Sequence, residues 1–156
     1  MFEEEEMKKL SSIASGIAGV YSAAAELSMQ GYIASMTSRN TKGIDIFVAN
    51  EDATKTVGVQ VKTNQGSLYW WLLNEKAENY FAENLFYVLV NLNNGGKPDM
   101  FIVPSKVVAT YIRESHSKWL ATLGKKGQKH NDTTMRQFKD KDKQYLNRWD
   151  LLGLDK

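Results

Sequence analysis

A chain of 156 residues, 42% apolar and 24% charged, has the make-up of one ordinary globular domain large enough to bury a core. It has no cysteine and only two histidines, which excludes disulfides, thiolate or multi-histidine metal centres and a cysteine nucleophile, and agrees with a reducing cytoplasm. The net charge of +2 is unevenly spread: residues 1–31 carry five glutamates against two lysines, and residues 125–143 seven bases against three acids, a late basic segment suited to a polyanion or simply to solvent.

The start, MFEEEEMKKL, lacks the basic and apolar regions of a secretory signal, and no apolar run approaches the roughly 18–20 residues of a membrane span. A cytoplasmic protein without membrane contact is expected, with residues 1–10 a flexible acidic start to a single domain, 1–156. Ser11 to Gln30 has helical spacing, weakened at its start by Gly16 and Gly19, and Gly31 is placed to cap it. Tyr32 to Thr37 reads as a short strand, and 38–42 as a polar loop. Gly43–Asn50 and Lys55–Thr63 then alternate as the two strands of a hairpin. Asn64–Asn74 reads as a loop with an aromatic anchor, Tyr69-Trp70-Trp71, suited to core or interface packing more than to base stacking. Glu75–Ala82 suggests a short helix, and NLFYVLVNL, from Asn84 to Leu92, a buried central strand. NNGGKP is turn chemistry, Asp99–Val103 the returning strand, and a helix starting at Pro104-Ser105, with Ser105 as cap, runs to Trp119. Residues 124–143 read as a basic loop and tail, and a last helix is expected from about Asp140 to Leu152. The sum is an α/β fold built around a mixed sheet.

The hairpin carries the chemistry. Ile46, Val48, Val57, Val59 and Val61 share one face with Ile44, while Asp45, Gln60 and Lys62 share the other. With Asn50 opposite Lys55, Asp45 lies across from Gln60; with Glu51 opposite Thr56, it lies across from Lys62. A one-residue slip would mix the faces and bury charge, so either allowed pairing keeps the polar trio together. A carboxylate and an amide oxygen are hard ligands of the kind Mg²⁺ accepts, and an adjacent ammonium can orient a water or balance phosphate charge. An ordinary cross-strand Asp45–Lys62 ion pair, contributing about 0.2–1 kcal/mol, would explain the same face.

Glu26 in AAELSMQGY, Asp45 in NTKGIDIFV, and Gln60 and Lys62 in VGVQVKT come in the order of a helix acid, a strand aspartate and an x-K strand. In this the sequence resembles the PD-(D/E)xK nuclease superfamily, nearest in flavour to the Holliday junction resolvases. The match covers residues 20–63. The resemblance implies a restriction-endonuclease-like α-β-β-β-α-β core, with a mixed central sheet flanked by helices. It implies a metal-dependent DNA endonuclease with Mg²⁺ or Mn²⁺ as cofactor. Asp45 would be the principal ligand, joined by Gln60, the Val61 carbonyl and Glu26, directly or through water, and Lys62 would position the attacking water. Gln60 departs from the pattern, standing where the superfamily usually has Glu or Asp. That removes one negative charge and keeps open a second reading, an inactive nuclease-fold module that binds DNA or a protein partner. A third is an unrelated α/β protein with a surface ion pair.

DNA is the expected partner, and resolvase-type relatives that cut two strands point to a homodimer. Arg39, Asn40 and Lys42 precede the aspartate strand and are candidates for phosphate contact or a solvent-facing loop; Gln65 is a candidate for the same contact or a turn. Lys125, Lys126 and Lys129 form the basic loop. His130 within it reads as an exposed histidine, and no partner for His116 is visible in the sequence.

Overall fold

The structure, a computed structural model, describes residues 8–38 and 41–155. Helix α1, Ser12–Met29, is capped by Ser11, whose hydroxyl accepts the Ala14 N–H. It ends where the Tyr32 N–H reaches back to Leu27 O and the Gly31 N–H to Ser28 O, with Gly31 in the capping place expected of it. Its buried stripe is small, Ser15, Gly19 and Ala23, broadening to Ala24 and Leu27. That lets the helix lie close on the sheet: a Cβ on Gly19 would overlap the Thr63 side chain.

Strands β1 (Ile33–Met36), β2 (Ile46–Ala49), β3 (Thr56–Asn64), β5 (Leu85–Asn91) and β6 (Asp99–Pro104) form one mixed sheet in the order β1-β2-β3-β5-β6. Only the β3–β5 pair is parallel; the others are antiparallel. Every residue of β5 is buried, as its unbroken apolar run requires. One face of the sheet, with Ile46, Val48, Val59, Val61, Val88 and Ile102, packs under α1. The other, with Tyr87, Leu89, Phe101 and Val103, packs under helix α2, Ser105–Ala121, and a two-stranded ribbon of β4 (Trp70–Asn74) and β7 (Met135–Lys139). Trp71 anchors this side, fully buried, with its indole N–H donating to Val90 O at 3.2 Å. No helix among the described residues is long and apolar enough to cross a membrane.

Both ribbon strands differ from the sequence expectation. The aromatic stretch read as a loop is β4: Trp71 and Leu73 point in while Leu72 is 45% exposed, so its alternation has no polar partner and stays hidden. Strand β7, read as basic loop and tail, places Arg136 inward beside Phe138. Arg136 is stabilised there by Glu78, at 2.5 Å, and by the carbonyls of Thr133 and Met135. Ser105 is the first helical residue rather than the cap, which is Pro104; the Ser105 hydroxyl instead joins Ala82 by donating to its carbonyl and accepting from its N–H. The expected last helix is turns and one 3₁₀ segment, Trp149–Leu152. The Asp140 carboxylate accepts from the N–H groups of Gln144 and Tyr145, Lys143 and Asn147 adopt positive φ, and the segment lies along β6 through Phe101 and Leu146. Leu152 is buried and Trp149 packs beside it on the α1 side of the sheet, while Tyr145 packs on the α2 side.

Candidate active site

The pairing of β2 with β3 sets Ala49 against Thr56 and Ile46 against Val59, so of the two registers the one with Asn50 opposite Lys55 is adopted. Regular pairing stops there. The Asp45 N–H donates to Val59 O at 2.8 Å, although Ile46 already stands opposite Val59, so two residues share one partner as in a β-bulge. The strand is therefore shorter than the alternation of GIDIFVAN suggests. Ile44 also leaves the face it was expected to share with Ile46: its side chain packs where Gly58 lacks a Cβ, beside Leu85, on the opposite face. Thr37 holds the break, donating its N–H to Asp45 O at 2.9 Å and its hydroxyl to Ile44 O at 2.6 Å.

The Val61 N–H, left without a strand partner, donates to Asp45 Oδ2 at 2.7 Å. The carboxylate is thus fixed against the middle peptide of Gln60-Val61-Lys62. In a strand the N–H and C=O of one residue point to the same side, so the Val61 carbonyl lies along the edge that Asp45 occupies. Gln60 and Lys62, both half-buried, project from the face away from α1, opposite Tyr87 and Leu89 of β5. Among the described residues no ion pair joins Asp45 to Lys62, and neither Gln60 nor Lys62 has a side-chain hydrogen bond within the chain. The side chains are therefore not tied up by the surface ion pair that would account for the pattern.

Beside Gln60, on β5, stands Tyr87, whose phenol is pushed up to about 12, first by burial and then by the proximity of Tyr80. Tyr80, following the 3₁₀ segment Glu75–Asn79, lays its ring on Gly43, whose φ of +73 turns the chain into Asp45. A side chain at Gly43 would meet both that ring and an unfavourable backbone angle. Thr37, Tyr80 and Tyr87 were not singled out in the sequence; Tyr87 is hidden in the apolar run of β5, and its position beside Gln60 depends on a parallel register that no local pattern reveals.

The other candidates lie elsewhere. Glu26 sits on α1, the layer on the opposite face of the sheet, and its carboxylate accepts from Gln30 Nε2 at 3.0 Å. Gln65 accepts the Leu10 N–H and donates to Lys8 O, tying down the segment before α1 with both ends of its amide. Lys42 is exposed in the turn before Asp45, while Arg39 and Asn40 lie outside the described residues. Lys125, Lys126 and Lys129 are exposed in the loop after α2. That loop is pinned by His116, 2.8 Å from Asp132, and by Trp119, stacked on His130 with centroids 4.1 Å apart. The hydrogen bond from His116 draws the Asp132 carboxyl below its ordinary range.

Among the described residues no group of three or more histidine, cysteine, aspartate or glutamate side chains is placed to hold a metal ion. The oxygen donors on this part of the strand pair are one carboxylate, one amide and one backbone carbonyl. All are hard oxygens suited to Mg²⁺ or Mn²⁺, with less negative charge than a two-carboxylate site. No ion pair or hydrogen bond to protein is made by Asp45 Oδ1 among the described residues, so one oxygen is available to such a cation.

No protein-family profile and no curated protein sequence matches the chain. Solved structures do. The chain is similar to a bacterial homing endonuclease, I-Ssp6803I, over 94% of each chain, with a TM-score of 0.54 and 15% identity. It is also similar to Hjc of Archaeoglobus fulgidus, a Holliday junction resolvase from an archaeal hyperthermophile, over 87% of this chain and 99% of that one, with a TM-score of 0.45 and 9% identity. At such identities the likeness is one of fold. The chain has the restriction-endonuclease-like fold, a five-stranded mixed sheet flanked by helices, as the PD-(D/E)xK resemblance of its sequence implied.

Proposed function

We propose that this protein is a metal-dependent endonuclease-like enzyme that hydrolyses phosphodiester bonds in DNA. The observation that carries the reading is the 2.7 Å contact from the Val61 N–H to Asp45 Oδ2, which fixes a carboxylate against the strand bearing Gln60 and Lys62. The likeness of fold to a homing endonuclease supports it.

Asp45, the Gln60 amide oxygen and the Val61 carbonyl are the donors that would hold Mg²⁺ or Mn²⁺; bound there, the cation would polarise the phosphoryl oxygen and acidify a water. The chain's own groups do the rest. Asp45 is pre-oriented by the Val61 N–H, so no reorganisation is needed when substrate arrives. Lys62 orients the attacking water and balances charge accumulating on the phosphate. The Gln60 amide, beside Tyr87 of the neighbouring strand, fills the place of a second carboxylate. Glu26, bonded to Gln30 in the helix layer, is given no part in the site, and Lys42, with Arg39 and Asn40, meets the phosphates on the way into it. A pair of copies would present two such sites to two strands.

The test is cleavage of linear and branched DNA with Mg²⁺ or Mn²⁺. Asp45→Ala is expected to lower the rate at least about 100-fold, and Glu26→Gln to cost less than that. Undiminished cutting by Asp45→Ala removes the site assignment. Gln60→Glu adds the missing charge and is expected to tighten Mn²⁺ binding by roughly tenfold or more in calorimetry. A second reading is favoured by the single carboxylate: a nuclease fold that binds DNA or a protein partner without cutting. It is preferred if the wild type binds no metal while Gln60→Glu gains binding.

A further inference from the structure

On the α2 side of the sheet, a groove of about 340 Å³ runs between α2 and the outer face of the β4–β7 ribbon. Its volume is at the small end of ligand sites, roughly 300–1,000 Å³. One wall is aromatic, the rings of His116 and Trp119, 5.5 Å apart and inclined by 29°. Trp119 remains 40% exposed and is stacked with the His130 ring, so its orientation is fixed while part of it faces outward. The facing wall is apolar and open: Leu72 is 45% and Met135 57% exposed. Gln137 and Lys139, also on the ribbon's outer face, add an amide that both donates and accepts and an ammonium. A slot with an aromatic wall, an aliphatic wall, an amide reader and a cation matches a planar heterocycle attached to a phosphate.

The surroundings are strongly positive. From Ser115 to Lys139 there are six basic residues, Lys118, Lys125, Lys126, Lys129, Arg136 and Lys139, against Asp132 alone. Arg136 is committed to Glu78 and Asp132 to His116, which leaves the five lysines of this segment, Lys139 in the groove lining and the others on α2 and the loop that follows it, without an acid of their own segment. Such a field selects a polyanion and disfavours an acid-poor protein partner.

We infer that the groove between α2 and the β4–β7 ribbon holds an unpaired nucleotide of a nucleic-acid substrate, its base in the slot beside Trp119 and its backbone along the lysine loop. This rests on the reading of the protein as a nucleic-acid enzyme, and it narrows the substrate class to strands with unpaired bases. A fully paired duplex keeps its bases stacked inside and offers the slot nothing.

The test separates the two readings by omitting metal. Anisotropy of a labelled oligo-thymidine strand is measured in EDTA against a duplex of equal length. The single strand is expected to bind more tightly. Trp119→Ala is expected to weaken it about 5- to 100-fold with little change for duplex. Trp119→Phe, which keeps a ring, should restore most of the binding and controls for folding. Lys126→Ala with Lys129→Ala should lower the salt slope by about 0.7 for each lysine. Equal single-strand binding by wild type and Trp119→Ala overturns the proposal even if Asp45-dependent cleavage is found. Binding of neither nucleic acid at low salt also overturns it and turns the groove over to a protein partner. Trp119-dependent single-strand binding without any cleavage upholds it and removes the enzyme reading instead.

Discussion

The Asp45 carboxylate, to which the proposed function gives the chemistry, also serves the fold. One of its oxygens replaces the strand partner that Val61 loses at the bulge. A charge-assisted bond of this kind is typically stronger than a neutral one. Asp45→Ala is therefore expected to destabilise the fold by about 1–2 kcal/mol in urea unfolding, and Asp45→Asn by less, because its amide oxygen still accepts. An Asp45→Ala variant as stable as the wild type would show that the contact is dispensable to folding. Gln60 is the residue where sequence and site diverge most from the superfamily pattern. Its identity was plain from the start, but its setting beside the buried Tyr87 was not, since that depends on which strand lies next to β3.

Among the elements, the fit of α1 to β3 is the tightest and the most exposed to a single change. Gly16 and Gly19 read in the sequence as weaknesses of a helix. Gly19 turns out to be the point of close approach, with the Thr63 hydroxyl buried against it and without a hydrogen-bond partner. Gly19→Ala gains about 1 kcal/mol in helix propensity but must push Thr63 aside, at about 1–3 kcal/mol. A net loss of stability is expected, relieved in the double variant with Thr63→Ala, which removes both the clash and the orphaned hydroxyl. Additive effects in that cycle would deny the contact. The ribbon teaches the reverse lesson. Its strands escaped detection because Leu72 faces outward and Arg136 inward, each against the usual pattern. The inward arginine is tolerated because Glu78 and two carbonyls complete its hydrogen bonds.

For the whole molecule, burial sets the alkaline limit. Tyr87 is pushed up to about 12 mainly by burial, and Tyr32 also to about 12, by burial and then by its 2.7 Å hydrogen bond to Asp155. In the unfolded chain both ionise near 10.0. A raised folded value means the contribution is complete below pH about 10 and lost as pH climbs toward about 12. Absorbance at 295 nm is expected to show these two tyrosines ionising late, with unfolding beginning in that window. Asp155→Asn should bring Tyr32 back toward the ordinary range and leave Tyr87 unmoved. Full ionisation of both near pH 10 in the folded protein would contradict the packing described.

The amino-acid sequence by itself determined the helix Ser12–Met29, the pairing of the two hairpin strands, the buried strand Leu85–Asn91, and the ordering of motifs that pointed to a restriction-endonuclease-like fold. These follow from local periodicity and from the cost of burying charge, both of which act on neighbours in the chain. Only the tertiary structure decided the register that sets Ile46 across from Val59, the bulge that moves Ile44 to the other face, the layer on which Glu26 lies, and the ribbon that walls the Trp119 groove. Each of these is a choice between partners distant in sequence. Local patterns limit such choices; the packing of α1, β5 and α2 on the two faces of the sheet makes them.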